Sequence, residues 1–388
     1  MIYFDNAATT FPKPISVYSE VEHCIRSYCG NPGRGSHSLS RAAAEKIYDC
    51  REEAASFFGL EAPENVIFTV NTTTALNMAI KGILRHGDHV LISDMEHNSV
   101  LRPIARLAEE GRITYDIFPT FSDNETMPTS DRICREISCR ILPQTRAVIC
   151  AHASNICSSS LPLTEIGAFC HAHGLYLIVD GAQSAGILPI NMAHMNIDML
   201  CVPGHKGLYG IQGSGMLLLA PGITLETLTE GGNGVNSLDT IMPELSPERY
   251  ESGTLPTPAI AGLCEGIRFV RRLGVEAIAA HEQQLGYRLQ ELLLNTQGVK
   301  VYASQFVGST VLFSVDGMPS DAVGRALDTH GFCVRCGFHC SALGHHTLGT
   351  PPSGAVRVSF GYFNRPAEVE QFYRTLREIL RDSNTTDK

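Results

Sequence analysis

The chain has 388 residues, 44% of them hydrophobic and 18% charged, and a formal net charge of −10. That length exceeds what one hydrophobic core usually serves, so two domains are expected, and the acidic balance leaves no basic footprint for nucleic acid or an anionic membrane. Apolar runs are only strand-length, the first residues carry no basic leader, and the 13 cysteines follow no small-scaffold spacing, so a cytoplasmic protein with reduced thiols is expected.

Apolar strands alternate with helical patterns, the signature of an α/β protein with a mostly parallel sheet flanked by helices. Ser40 to Phe58 reads as a helix closed by Gly59, and Val66 to Val70 as a strand after which Thr72-Thr73-Thr74 open a helix from Ala75 to Arg85. Strands follow at His89 to Ser93 and Ala147 to Cys150, then a helix from Leu163 to His173 closed by Gly174. Leu175 to Val179 is a continuous apolar run, which reads as a parallel strand buried on both faces, and Met216 to Leu219 is another strand. The Gly- and Pro-rich stretch from Gly231 to Pro258 marks the expected crossing between domains. Beyond it, strands are expected around Thr310 to Ser314 and Phe332 to Arg335, and a last helix from Pro366 to Arg381.

Two segments of this frame carry chemistry. Asp180 follows the Leu175 to Val179 strand at its carboxyl end, where open α/β sheets bind ligands, and Lys206 comes 26 residues later in Pro203-Gly204-His205-Lys206-Gly207. Pyridoxal phosphate needs a lysine to hold its aldehyde and a carboxylate to keep its ring nitrogen protonated, and the pyridinium would in turn keep a buried Asp180 ionised. Each residue alone has a plainer reading, as a helix cap or a solvated loop. Thr72 and Thr73 stand at a strand-to-helix turn, where free N–H groups and the positive helix end receive a phosphate; simple N-capping fits them equally.

The blocks Tyr3 to Thr10, Met95-Glu96-His97-Asn98, Asp180-Gly181-Ala182-Gln183, Gly204-His205-Lys206, Glu251-Ser252-Gly253-Thr254, Arg335 to Cys340 and Val356 to Phe360 run nearly end to end. In them the chain resembles the class V aminotransferases, fold-type I pyridoxal phosphate enzymes, and within those the cysteine desulfurases and selenocysteine lyases. The resemblance implies a large domain over 16–258 with a mostly parallel seven-stranded-type sheet, and a smaller α/β C-terminal domain from 1–15 and 259–388. It places Thr73 and His205 on the cofactor's phosphate, joined by Gly253 and Thr254 of a neighbouring subunit, so a homodimer follows. His97 would stack on the pyridine ring, with Gln183 and Asn155 at its phenolic oxygen. Ala8 and Asn155 fall among substrate-binding positions, and Arg34 with His37 in a loop closing over the site from the partner. Close relatives carry a serine where this chain has Pro203, and proline has neither an N–H nor a side-chain donor, so the phosphate must lean on other groups.

A desulfurase differs from a plain aminotransferase by a mobile cysteine whose thiolate attacks sulfur. Most free cysteines are small buried hydrophobes, but Cys340, after Arg335, Gly337 and His339, matches the family's block, and its compact spacing resembles group II, the SUF-type desulfurases and selenocysteine lyases. Cys333, Cys336, His339, Cys340, His345 and His346 also offer zinc's preferred ligands; structural zinc sites pair two clusters across a longer loop, whereas these crowd one segment, so no metal is expected and Cys333 and Cys336 read as structural. Arg357, opposite the valines of its strand, would meet the substrate carboxylate, the plainer reading being an ion pair. His97 reads as a proton carrier, since imidazole titrates near neutral pH. The expected reaction converts L-cysteine to L-alanine with sulfur held as a persulfide on Cys340 for an acceptor protein. Release of selenium from L-selenocysteine, or another β-lyase reaction, is the alternative. A non-enzymatic relative is disfavoured by the intact Lys206, Asp180 and Arg357 set.

Overall fold

The computed structural model describes residues 1–33, 35–121, 129–235 and 237–386. In chain order its first elements are β1 (Ile2–Tyr3), α1 (Ile15–Ser27), α2 (Ser38–Phe58), β2 (Val66–Thr69), α3 (Thr72–Ile83), β3 (His89–Ser93), α4 (Asn98–Glu109), β4 (Thr114–Phe118) and α5 (Ser130–Ser138). Then come β5 (Thr145–Ala151), α6 (Leu163–Ala172), β6 (Tyr176–Asp180), β7 (Met199–Pro203), β8 (Gly215–Leu219), α7 (Thr257–Leu273) and α8 (Val275–Leu294). The chain closes with β9 (Val299–Tyr302), β10 (Thr310–Val315), α9 (Ser320–Thr329), β11 (Phe332–Cys333), β12 (Arg335–Gly337), α10 (Ala342–Thr347), β13 (Ala355–Ser359) and α11 (Pro366–Thr386).

Seven strands form the large sheet in the order β2-β8-β7-β6-β5-β3-β4, parallel throughout except for β8, which runs antiparallel to both neighbours. Its central strands are buried on both sides, which explains their unbroken apolar runs. Leu177 and Val179 enter one core with Leu200 and Val202, while Ile178 enters the opposite core with Met199 and Cys201. A second, four-stranded sheet in the order β12-β13-β10-β9 packs its own core of Phe313, Val356, Val358, Phe372 and Leu376. Phe4 joins that core, and β1 pairs in parallel with β11.

Two expectations change. The cores do not divide at Pro258: α7 sends Ile260, Leu263, Cys264 and Ile267 into the large-sheet core, because its apolar face lies against α1 and α2. The expected strand around Phe332 to Arg335 is two short ones, since β11 follows β1 while β12 turns away to pair antiparallel with β13. No helix among the described residues is long and apolar enough to cross a membrane.

Candidate active site

β6, held between β5 and β7, delivers Asp180 to the carboxyl edge of the large sheet at 4% exposure. Its Oδ1 accepts from the Ala182 N–H at 2.9 Å. Burial pushes this carboxyl up, opposed by the Ala182 N–H and the charge of Lys206. Beneath it Glu96 is wholly buried and accepts from the Ala151 N–H at 2.9 Å. Burial, opposed by the Ser93 hydroxyl and the Ala151 N–H and aided by the nearby Asp180 and Asp94 charges, pushes Glu96 up to about 8.

β7 ends at Pro203, and the chain reverses where Gly204 lies against β8: a Cβ there would come within 2.1 Å of Ser214 Oγ, so only glycine fits. The turn brings Lys206 back over the cleft. Burial, with Arg357 and Arg335 adding repulsion and Asp180 opposing, pulls the Lys206 ammonium down to about 8, an amine that sheds its proton close to neutral pH. The backbone of this turn is strapped from the N-terminal segment: the His205 carbonyl accepts from Thr9 Oγ1 at 3.0 Å, Thr10 N at 3.2 Å and Lys13 Nζ at 2.7 Å.

The cleft has a volume of about 110 Å³ and is lined by Thr72, Thr73, His97, Asn155, Asp180, Gln183, His205 and Lys206 together with Asn71, Ser99 and Pro203. At one end α3 points its N-terminus inward. Asn71 Oδ1, accepting from the Thr74 N–H at 2.9 Å, is the cap, so the capping role does not fall to Thr72 or Thr73. Thr72 Oγ1 and His205 Nδ1 are buried without a partner among the described residues, two polar groups left for something the cleft receives. Thr73 Oγ1 meets Ser99 Oγ at 2.8 Å, which in turn lies 2.8 Å from His97 Nδ1.

His97 departs from its near-neutral expectation. Burial, then the charges of Lys206, Arg335 and Arg357, hold its imidazole down at about 4. Its Nδ1 accepts from the Ser99 N–H at 3.0 Å, which leaves the proton on Nε2. It therefore enters the cleft as a neutral N–H donor.

Arg357 is 2% exposed, and both readings of it meet in the structure. Nη2 pairs with Asp5 Oδ1 at 2.7 Å and Nη1 donates to the Asn155 carbonyl at 2.7 Å, while Nε has no partner among the described residues. Arg335 stands directly opposite on β12, a second guanidinium that sequence reading used only as a neighbour of Cys340. Asp5 was likewise missed as its counter-ion; only the pairing of β13 with the N-terminal segment, through the Asp5–Ser359 bridge, reveals it.

Cys340 is exposed, on a turn after Gly337 (φ 97°) in which His339 (φ 52°) and Cys340 (φ 55°) are both left-handed. Asn155 Nδ2 donates to the His339 carbonyl and Asn98 N to the Cys340 carbonyl, each at 2.8 Å, which anchors the turn beside His97. Gln183 Nε2 donates to Ala7 O at 2.9 Å, and the Ala8 N–H to Asp5 O at 3.0 Å. His37 caps α2 through Ser40 N; Arg34 lies outside the described residues. Gly253 and Thr254 line a different cleft, beside Asn31, Pro32 and Gly33. Cys333 and Cys336 have thiols pushed up by burial, and among the described residues no three His, Cys, Asp or Glu side chains converge on a metal position.

The model of the aminotransferase class-V family matches residues 2–372. A curated Methanothermobacter thermautotrophicus protein named "Probable cysteine desulfurase" is 32% identical over 387 residues, spanning 97% of this chain and 94% of its own. One of the same name from Halalkalibacterium halodurans is 30% identical over 385 residues, spanning 97% and 92%. The apo structure of a Thermococcus onnurineus cysteine desulfurase matches with a TM-score of 0.87 at 30% identity, over 98% of this chain and 95% of that one. A cysteine desulfurase of Escherichia coli, at 22% identity and a TM-score of 0.87 over 98% and 94%, shares the fold. With a lysine and a buried carboxylate facing one cleft, and likeness running almost the whole length, this chain belongs to the class-V aminotransferase family.

Proposed function

We propose that this protein is a pyridoxal-phosphate-dependent cysteine desulfurase that converts L-cysteine to L-alanine and holds the sulfur on Cys340. The observation that carries the reading is the single cleft in which Lys206, Asp180 and the unpartnered Thr72 Oγ1 and His205 Nδ1 meet. This donor set suits the cofactor: the N-terminus of α3 with Thr72, Thr73 and His205 would take the phosphate, Asp180 the ring nitrogen and Lys206 the aldehyde, with His97 over the ring and Gln183 at its oxygen. The spare hydroxyl and imidazole also supply donors that Pro203 lacks.

When bound, the cofactor supplies an electron sink for bond breaking at the substrate's Cα and Cβ. Lys206 Nζ, held near neutrality by its burial, accepts the Cα proton and can return it. Arg357 and Arg335 orient the substrate carboxylate. Cys340 Sγ attacks the substrate sulfur: an S–S bond forms, the Cβ–S bond breaks with its electron pair staying on carbon, and protonation of that carbon gives alanine. Gly253 and Thr254, lying away from their own subunit's Lys206, support a homodimer in which each subunit completes the other's site, and the exposed Cys340 supports delivery to an acceptor protein. The unpaired cysteines fit the cytoplasm.

The test is alanine release from L-cysteine and L-selenocysteine side by side, with and without reductant. Alanine from cysteine is expected; none from cysteine under either condition sinks the reading.

Arg357→Lys keeps the charge and loses the fork, so the Michaelis constant for cysteine should rise about thirtyfold or more, the equivalent of about 2 kcal/mol of a broken charged pair. Steady-state kinetics decide it: an unchanged constant would leave Arg357 only its ion pair with Asp5.

A further inference from the structure

Cys340 lies in a conformation that side chains other than glycine avoid, and it does so together with the residue before it. Such a turn persists only where its surroundings over-determine it. The Asn155 side-chain amide and the Asn98 backbone N–H hold its two carbonyls. A second hold comes from the other direction, through His345 of α10 and Thr350 beyond it, to which the reaction gives no work.

His339 is 5% exposed and His345 3%. His339 Nε2 lies 3.1 Å from the Arg335 carbonyl, which can only accept, so that nitrogen carries the proton and Nδ1 is the acceptor. His345 Nε2, 3.0 Å away, must then be the donor, and its own Nδ1 accepts from Thr350 Oγ1 at 2.8 Å. One backbone carbonyl thus sets the direction of every bond in the chain Thr350, His345, His339, Arg335. The two ring planes are 9° from parallel with centroids 5.2 Å apart. Burial holds both imidazoles neutral, at about 4 and about 3, so nothing near neutral pH reverses the order. His345 is itself seated by its N–H on the Ser341 carbonyl at 3.0 Å, one residue past the thiol.

We propose that His345, seated by Thr350, is a positioning residue for Cys340: its Nε2–H fixes the tautomer and place of the His339 ring and so keeps His339 and Cys340 in the left-handed turn that presents the thiol to the cleft. The inference rests on Cys340 being the sulfur-accepting thiol.

Three variants of the holoenzyme test it. His345→Ala breaks the relay. Thr350→Val removes only its outer hydroxyl and serves should the alanine variant fail to fold. His345→Gln restores it, because the amide N–H can donate to His339 and the amide oxygen accept from Thr350. Iodoacetamide labelling, followed peptide by peptide, compares Cys340 with Cys29 and Cys139, the other exposed thiols, as internal references. In His345→Ala the labelling of Cys340 relative to those two should rise at least about threefold as the turn opens, and in His345→Gln it should return to the wild-type ratio. Turnover of cysteine should fall at least about tenfold in His345→Ala with little change in the Michaelis constant, since a misplaced reacting group slows the step without weakening substrate binding. Thr350→Val should shift both readouts the same way by a smaller factor. An unchanged labelling ratio in His345→Ala, or a ratio that His345→Gln leaves as altered as alanine does, overturns the proposal. If the wild type released no alanine from cysteine, the function proposed above would fall, while the labelling ratios, which need no turnover, would still decide the role of His345.

Discussion

Replacing Lys206 with alanine is expected to lower cysteine turnover by at least about a thousandfold, within the 10²–10⁴ that a positioned proton-transfer group supplies, with the covalent hold on the cofactor lost as well. Two roles fall on one amine. Its burial and the neighbouring guanidiniums pull it to about 8, and the strap from Thr9, Thr10 and Lys13 onto the His205 carbonyl fixes the turn that carries it. Borohydride treatment of the wild type should tag one peptide, the one containing Lys206, and tag nothing in the variant. Lys13 is the competing candidate, since burial brings it to about 7, but its Nζ is committed to Thr10 Oγ1 and the His205 carbonyl, each at 2.7 Å. Label recovered on Lys13 would overturn the assignment.

Cys340→Ala should abolish alanine formation from cysteine while leaving the cofactor's absorption spectrum intact, because the substitution removes the proposed sulfur acceptor and none of the groups that line the proposed cofactor cleft. Cys150 and Cys201, the cysteines of the strands flanking Asp180, are wholly buried with thiols pushed well up, and Cys50 is buried among helices. Brief exposure of the wild type to cysteine should add one sulfur to the peptide containing His339-Cys340-Ser341, detected by mass spectrometry. If that persulfide never forms and the variant still turns over cysteine at the wild-type rate, sulfur does not pass through Cys340. Selenocysteine should be less affected, since its selenol is ionised at neutral pH and its carbon–selenium bond is weaker.

Much of the site could be read from the chain because its chemistry is local. Asp180 at the end of an apolar run and Lys206 one turn beyond the next strand are placed by sheet order alone, and the N-terminus of α3 follows from the strand and helix on either side of Asn71. The buried parallel strands announce themselves by continuous apolar runs because both faces meet a core. Residue type and spacing sufficed there.

Contacts between residues far apart in the chain were a different matter. Asp5 and Arg357 stand 352 positions apart and meet only because the N-terminal segment lies along β13, so the pairing of an arginine read chiefly as a carboxylate binder had to await the fold. His97 shows the same limit: its residue type implies titration near neutral pH, and only its burial, with the charges of Lys206, Arg335 and Arg357, lowers it, while the Ser99 N–H on Nδ1 leaves the proton on Nε2. The relay from Thr350 to Arg335 is invisible in the sequence because hydrogen-bond direction depends on which atoms face each other. What the sequence by itself determined was the inventory of reactive groups and the strands that carry them, through hydrophobic periodicity and motif spacing. Tertiary structure alone decided which charges neutralise one another, which imidazoles stay neutral and how the cysteine turn is held, because desolvation and pairing depend on distances that no linear spacing encodes.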